Sequence, residues 1–232
     1  MNWISSNIDL ILELTIEHVR LSIIPIILSF VLAIPLGWLA NRTRTLRAVI
    51  ITTGSLLYTI PSLPLFVILP IILGTRVLSD INLVVALTIY GVAVMMRSAT
   101  DALGAVDKVT LDAADAMGFS PWTRFWRVDV PLAGPVLLAG IRIVSVSTIA
   151  LVSVGVIIGS ENLGYLFQTG KQREILVAVV TGIVLTLILA LIFDGIILLI
   201  ARIAMPWNRT ATEAAFVRAA IKYPVKQDAG AQ

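Results

Sequence analysis

Apolar residues dominate the chain, and its few charges divide it into blocks whose lengths predict membrane-crossing helices. From Asn7 to Arg20, Ile8, Leu10, Ile11, Leu14, Ile16 and Val19 alternate with Asp9, Glu13, Glu17 and His18. That pattern predicts an amphipathic leading helix rather than a full span. Leu21 to Ala40 carries no charge and is long enough to cross about 30 Å of hydrocarbon even with Pro25 and Pro35 inside it. Arg42, Arg44 and Arg47 follow at once. Ala48 to Thr75 is uncharged over 28 residues, too long for one straight crossing, and Pro61, Pro64 and Pro70 interrupt it. A kinked second span is expected there, bent locally over residues 58–64. Ile81 to Met96 predicts a shorter third span ending at Arg97, Gly134 to Ile158 a fourth, and Ile175 to Ile203 a fifth.

Between the third and fourth spans lies the longest run dense in charge, residues 107–131. It reads as two short helices with a hinge. Thr110 is placed to cap the first, with Asp112 in a first turn that favours negative charge, and Gly118 suits the left-handed residue that ends it. Ser120 is placed to cap the second helix, with Pro121 at its first position, where a missing N–H costs nothing. Three- and four-residue spacing sets Trp122, Phe125 and Trp126 on neighbouring faces while Arg124 and Arg127 point elsewhere. One side is built to be covered, either by a partner or by lipid headgroups.

Composition narrows the class. The 232 residues are 58% hydrophobic and 13% charged, with a mean hydropathy of +0.99. Soluble domains run at about 45–50% apolar and about 25% charged. The fold expected is therefore an all-α integral membrane protein of about five transmembrane helices. A membrane domain over residues 1–205 carries the polar loop 107–131 between spans three and four, and a polar tail follows over 206–232. The first residues lack a basic leader, so no cleavable signal peptide is expected. With no cysteine and a single histidine, His18, thiol chemistry and clustered metal sites are not expected, and a structural or interfacial role is the simpler reading of His18. No phosphate-binding glycine motif or catalytic constellation appears, and the basic residues are scattered beside the membrane rather than gathered for nucleic acid. If the amino terminus is outside, twelve of the 17 Lys and Arg residues fall on the inner side and four on the outer. That bias puts loop 107–131 and the carboxyl terminus in the cytoplasm.

Arg142 is the exception, a charge within span four, and Asp194 is its counterpart within span five. Each lies about nine residues above the inner end of its helix, roughly 13 Å into the membrane. Pairing is expected, because an unpartnered charge at that depth is costly; the alternative is that Asp194 attracts a cationic substrate. Tyr58, Pro61, Ser62 and Pro64 are candidate pathway lining, since bent membrane helices are tolerated where neighbours or water satisfy the freed carbonyls. A packing kink explains them equally well.

The polar loop also resembles a known motif. Permease subunits of ATP-binding-cassette importers carry Glu-Ala-Ala, three residues, Gly, nine residues, Ile-x-Leu-Pro, and here Asp112, Ala113, Ala114, Gly118, Val128, Val130 and Pro131 stand at those positions. The departures are Asp for Glu and Val for Ile and Leu. The resemblance implies the type I importer permease fold and a coupling helix that docks on an ATPase, with Asp112, Ala113, Ala114, Asp115, Gly118, Phe119, Ser120, Pro121 and Pro131 as coupling residues. It implies two ATPase subunits that bind ATP and magnesium, a second permease copy or paralogue, an extracytoplasmic binding protein, and a bacterial-type inner membrane. The chain itself would then be no enzyme and hold no cofactor. Thr59-Ile60-Pro61-Ser62-Leu63 is similar to a segment of permeases for glycine betaine, choline, carnitine and related osmoprotectants, which makes such a solute the expected cargo. A permease for methionine or another amino acid shares the same loop. An ion-coupled carrier, for which internal repeats would be expected, and a non-transporting anchor are the other classes.

Overall fold

The computed structural model describes residues 2–207. Arg209, Arg218, Lys222 and Lys226 of the expected polar tail lie outside the described residues. The described chain forms α1 (Asn2–Ser6), α2 (Ile8–Ala40), α3 (Arg44–Thr59), α4 (Ser62–Leu73), α5 (Asp80–Gly104), α6 (Lys108–Ala116), α7 (Pro121–Arg124), α8 (Val130–Val152), α9 (Gly164–Gln172) and α10 (Leu176–Ala204). A π-helical turn, Phe125–Asp129, joins α7 to α8, and a 3-10 turn, Ser153–Ile158, extends α8. Ile8–Ala40, Asp80–Gly104, Pro121–Ile158 and Leu176–Ala204 are each long and apolar enough to cross a membrane, and α3 and α4 together are so too if the bent pair is one span.

The first and third spans run beyond the boundaries the pattern predicts. The leading helix and the first span are one continuous α2 of 33 residues. Asp9, Glu13 and Glu17 recur every fourth residue on one face, so they do not interrupt the opposite face, where Ile11, Leu14, His18 and Leu21 are buried. The third span does not stop at Arg97 but runs to Gly104, because Ala99, Thr100, Ala102 and Leu103 continue the buried face past that charge.

α5 is the central element. It packs along α2 in the same direction: Arg20 lies 4.0 Å from Asp80 at one end, Ser29 Oγ reaches the Thr88 carbonyl in the middle, and Asn41 Nδ2 donates to the Thr100 carbonyl at the other end. The helices approach closely at Gly91, where an added Cβ would fall 2.0 Å from Ser29 Oγ. Because α2 and α5 are parallel, α3 and α4 must carry the chain back the full length of the bundle. α8 then rises antiparallel to α5, with Gly140 beside Ser98 and Gly155 beside Leu83. α10 descends along α8, bringing Met205 to Gly134. Only Ala178, Gly182, Leu189 and Ala201 of α10 are buried, so the helix turns most of its apolar surface outward. That arrangement suits lipid rather than water.

The end opposite loop 107–131 is closed by segment 159–164. His18, fully buried, bonds through Nε2 to the Ile149 carbonyl at 3.0 Å and accepts at Nδ1 from the Leu163 N–H at 3.3 Å. Ser160 Oγ donates to Asp80, and the buried Asn162 accepts from the Gly164 N–H. His18 therefore ties α2, α8 and the start of α9 together.

Candidate functional site

The polar loop forms a hairpin. Asp107, not Thr110, caps α6, its carboxylate accepting from the Val109 N–H at 3.2 Å. Asp107 takes the position because its backbone is extended, while Thr110 is already helical. Asp112 consequently lies in the middle of α6 rather than in its first turn. Gly118 has φ +83° and closes the helix: its own N–H bonds the Asp115 carbonyl, and the Phe119 N–H bonds the Ala114 carbonyl. Ser120 then caps α7 by accepting from the Thr123 N–H, with Pro121 at the first position.

The second helix is not a separate short piece. It runs through the π turn into α8, so Pro121 to Ile158 is one rod of 38 residues. Pro131 accounts for the widened turn: it has no N–H for the Arg127 carbonyl, and its ring would press on that carbonyl in a regular helix. The Val130 N–H bonds back five residues to the Phe125 carbonyl instead.

Side chains fasten the hairpin to itself and to the bundle. Arg124 pairs with Asp115 of α6 and stands 3.5 Å from the buried Asp129. Phe125, 1% exposed, packs with its centroid 5.2 Å from Trp38 of α2 and 4.9 Å from Trp126, and Arg42 covers the other ring of that contact at 4.0 Å from Trp38. Of the expected coupling residues, Asp112, Ala113, Asp115, Gly118, Ser120 and Pro121 are exposed, Phe119 and Pro131 are partly covered, and Ala114 is buried against the rest of the hairpin. Val109, Met117, Trp122 and Trp126 add exposed apolar surface. Trp38, Asp107 and Asp129 are absent from the sequence-based site. The partners of Trp38 and Asp129 are set by the hairpin's approach to α2 and its own closure, and only Asp107, a capping residue type before an apolar run, has a local signal.

The proline-rich segment is a break of 103° between α3 and α4. Pro61 and Pro64 provide no N–H for the Leu57 and Ile60 carbonyls. The Ile60 N–H bonds Leu57, and Tyr90 Oη of α5 donates to the Ile60 carbonyl. Tyr58, Pro61 and Pro64 are exposed and Ser62 partly so, on a surface beside the midpoint of α5.

Arg142 and Asp194 are brought together. Arg142 Nε and Nη2 meet the two Asp194 carboxylate oxygens at 2.6 and 2.9 Å, a two-pronged contact between α8 and α10. This pair is not brought to Tyr58, since α3 packs on α5 and α2 whereas α10 packs on α8 and α9.

Residues 19–203 match the binding-protein-dependent transport system inner membrane component family. The chain belongs to that family. It is thus a multi-pass inner-membrane permease of a binding-protein-dependent, ATP-binding-cassette importer, the subunit that is itself no enzyme. This permease is similar to the osmoprotectant import permease protein OsmW of Salmonella typhimurium, at 26% identity over 200 residues covering 85% of this chain and 93% of the relative. It is similar to the choline transport system permease protein OpuBB of Bacillus subtilis, at 28% over 206 residues covering 89% and 94%. Its fold is similar to a chain of the methionine ABC transporter MetNI in an inward-facing conformation, with a TM-score of 0.77, 22% identity, and coverage of 86% and 98%.

Proposed function

We propose that this permease carries a small osmoprotectant such as glycine betaine, choline or carnitine across the membrane, driven by ATP hydrolysis on a partner. The observation that carries the coupling half is the unbroken rod Pro121–Ile158. A push on Trp122 enters that rod directly, a push on α6 reaches it across the Gly118 turn through the Arg124–Asp115 pair, and α8 packs on α5 and α2. The cargo half is supported by the activities of the relatives, osmoprotectant import and choline transport. The methionine transporter shares the fold at an identity that speaks for fold alone.

Two ATPase subunits, binding ATP and magnesium, would grip the hairpins of two permease copies, or of this chain and a paralogue. An extracytoplasmic binding protein would deliver solute to the end formed by α9 and segment 159–164. The amino terminus is then outside and the carboxyl terminus cytoplasmic. Movement of α8 against α5 would switch the pathway beside the broken span between inward and outward access. The deciding experiment is reconstitution with the ATPase and binding protein in vesicles. Labelled glycine betaine, choline or carnitine should accumulate only when both ATP and binding protein are present. Accumulation of methionine instead, or uptake driven by an ion gradient without ATP, would overturn the reading.

A further inference from the structure

A cleft of about 310 Å³ opens between α3 and α5, lined among others by Ser55, Tyr58, Met96, Arg97 and Ser98. Its size is at the small end of ligand pockets, about 300–1,000 Å³. Arg97 stands nearly two turns inside the end of α5 at Gly104, one turn deeper than Asp101. Among the described residues it makes no hydrogen bond or ion pair. Two other arginines at that end are engaged, Arg47 with Asp101 at 2.7 Å and Arg42 over Trp38. Arg97 is exposed on the cleft, and its guanidinium fork suits a two-oxygen acceptor such as a carboxylate. On the same cleft Tyr58 is 54% exposed, and its perpendicular contact with Tyr90, 6.1 Å between centroids, fixes the ring. Tyr90 is itself pinned by the Ile60 carbonyl at the break. An exposed aromatic face of this kind attracts a cation that sheds little water, such as a quaternary ammonium.

We infer that this cleft is a permease-resident subsite for a small zwitterion, with Arg97 receiving its carboxylate and Tyr58 its onium group. The inference rests on the osmoprotectant reading and deepens it. It separates two kinds of cargo: glycine betaine and carnitine carry both groups, choline only the onium. Arg97 therefore acts as a selector at the membrane step, after the binding protein has released the solute.

Two measurements on the full permease and ATPase complex test it. In vesicles supplied with binding protein and ATP, Arg97→Gln should lower the ratio of glycine betaine to choline uptake at saturating solute by about tenfold or more, choline serving as the control for folding. Arg97→Lys, which keeps a point charge but not the fork, should give an intermediate ratio. Tyr58→Ala should slow both solutes together, and Tyr58→Phe, which keeps the aromatic face, should recover most of that loss. The second measurement uses the absence of cysteine from the chain. A Ser55→Cys variant should react with a sulfonate-bearing thiol reagent about tenfold faster with Arg97 present than with Arg97→Gln, and a neutral reagent should show no difference. If the vesicles take up neither solute, the osmoprotectant reading falls and the labelling arm still judges the cleft. In a complex that transports both, an unchanged ratio or equal loss of both solutes in Arg97→Gln overturns the selector, leaving Arg97 as a partner for lipid phosphate. Labelling indifferent to Arg97 overturns it as well.

Discussion

Arg142 and Asp194 show how a single residue pair fixes the placement of a whole helix. α10 buries few side chains and has an apolar surface that any neighbouring apolar helix would match, so dispersion alone does not select its rotation or its height along α8. A two-pronged contact at 2.6 and 2.9 Å does, because a slip of one residue would separate the charges in a medium that solvates neither. Arg142→Gln or Asp194→Asn alone should therefore lower the thermal midpoint of the detergent-purified complex by on the order of 5 °C, whereas the double neutral variant should recover most of the loss. Exchange of the two charges should also recover part of it. If neither double variant is better than the singles, the pair does not position α10. This contact was legible in the sequence because both residues interrupt apolar runs at equal heights. Arg124 with Asp115 was not legible, since it needs the hairpin to close, and neither was Phe125 on Trp38, a contact across two elements with no local pattern.

At the scale of the element, the hairpin and α8 behave as one lever, and the π turn at Phe125–Asp129 sets its angle. Sequence showed Ser120, Pro121 and Gly118 as the punctuation of two helices, and each stands where its chemistry requires. It did not show that the second helix continues into the membrane, because nothing local tells that Pro131, at the end of the polar loop, is accommodated by one wider turn. The same weakness of local signals hid the continuity of α2, where charges on one face looked like a boundary. The lever predicts the outcome of a one-residue deletion. Removing Val128 together with Pro131→Ala, which restores the N–H and takes away the ring, should let the turn close to a regular helix, rotating the hairpin by about 100° about α8 and drawing it in by about 1.5 Å. Phe125 would then leave Trp38, and Met117 and Trp122 would face away from the surface they now share. The assembled complex should still hydrolyse ATP, but the number of nucleotides consumed per solute taken up should rise at least severalfold while the thermal midpoint of the spans changes little. Coupling that survives the deletion would mean that the hairpin's direction is immaterial.

The whole molecule is organised by the parallel pairing of α2 and α5, which apolar lengths alone do not reveal. Five spans and the polar loop between the third and fourth were readable from charge spacing; the 103° break was readable only as a kink, because proline marks where a helix yields and not by how much. A break that sharp admits two topologies. Either α3 and α4 together cross the membrane, or they dip in and return to the side they left. Contacts at both ends of α2 and α5 exclude the return, since Arg20 meets Asp80 at one end while Asn41, just past the end of α2, donates to the Thr100 carbonyl at the other. Arg44 and Val77 must then lie on opposite faces of the membrane. The chain has no cysteine, so single replacements report this directly. In intact cells an impermeant maleimide should label Val77→Cys and Lys171→Cys, and should label Arg44→Cys and Met117→Cys only in inside-out vesicles. Within those vesicles the ATPase should shield Met117→Cys and leave Arg44→Cys reactive if the hairpin is the docking surface. Labelling of Arg44→Cys and Val77→Cys from the same side would make α3 and α4 a re-entrant pair and break the parallel alignment on which the cleft, the lever and the placement of Arg97 all depend.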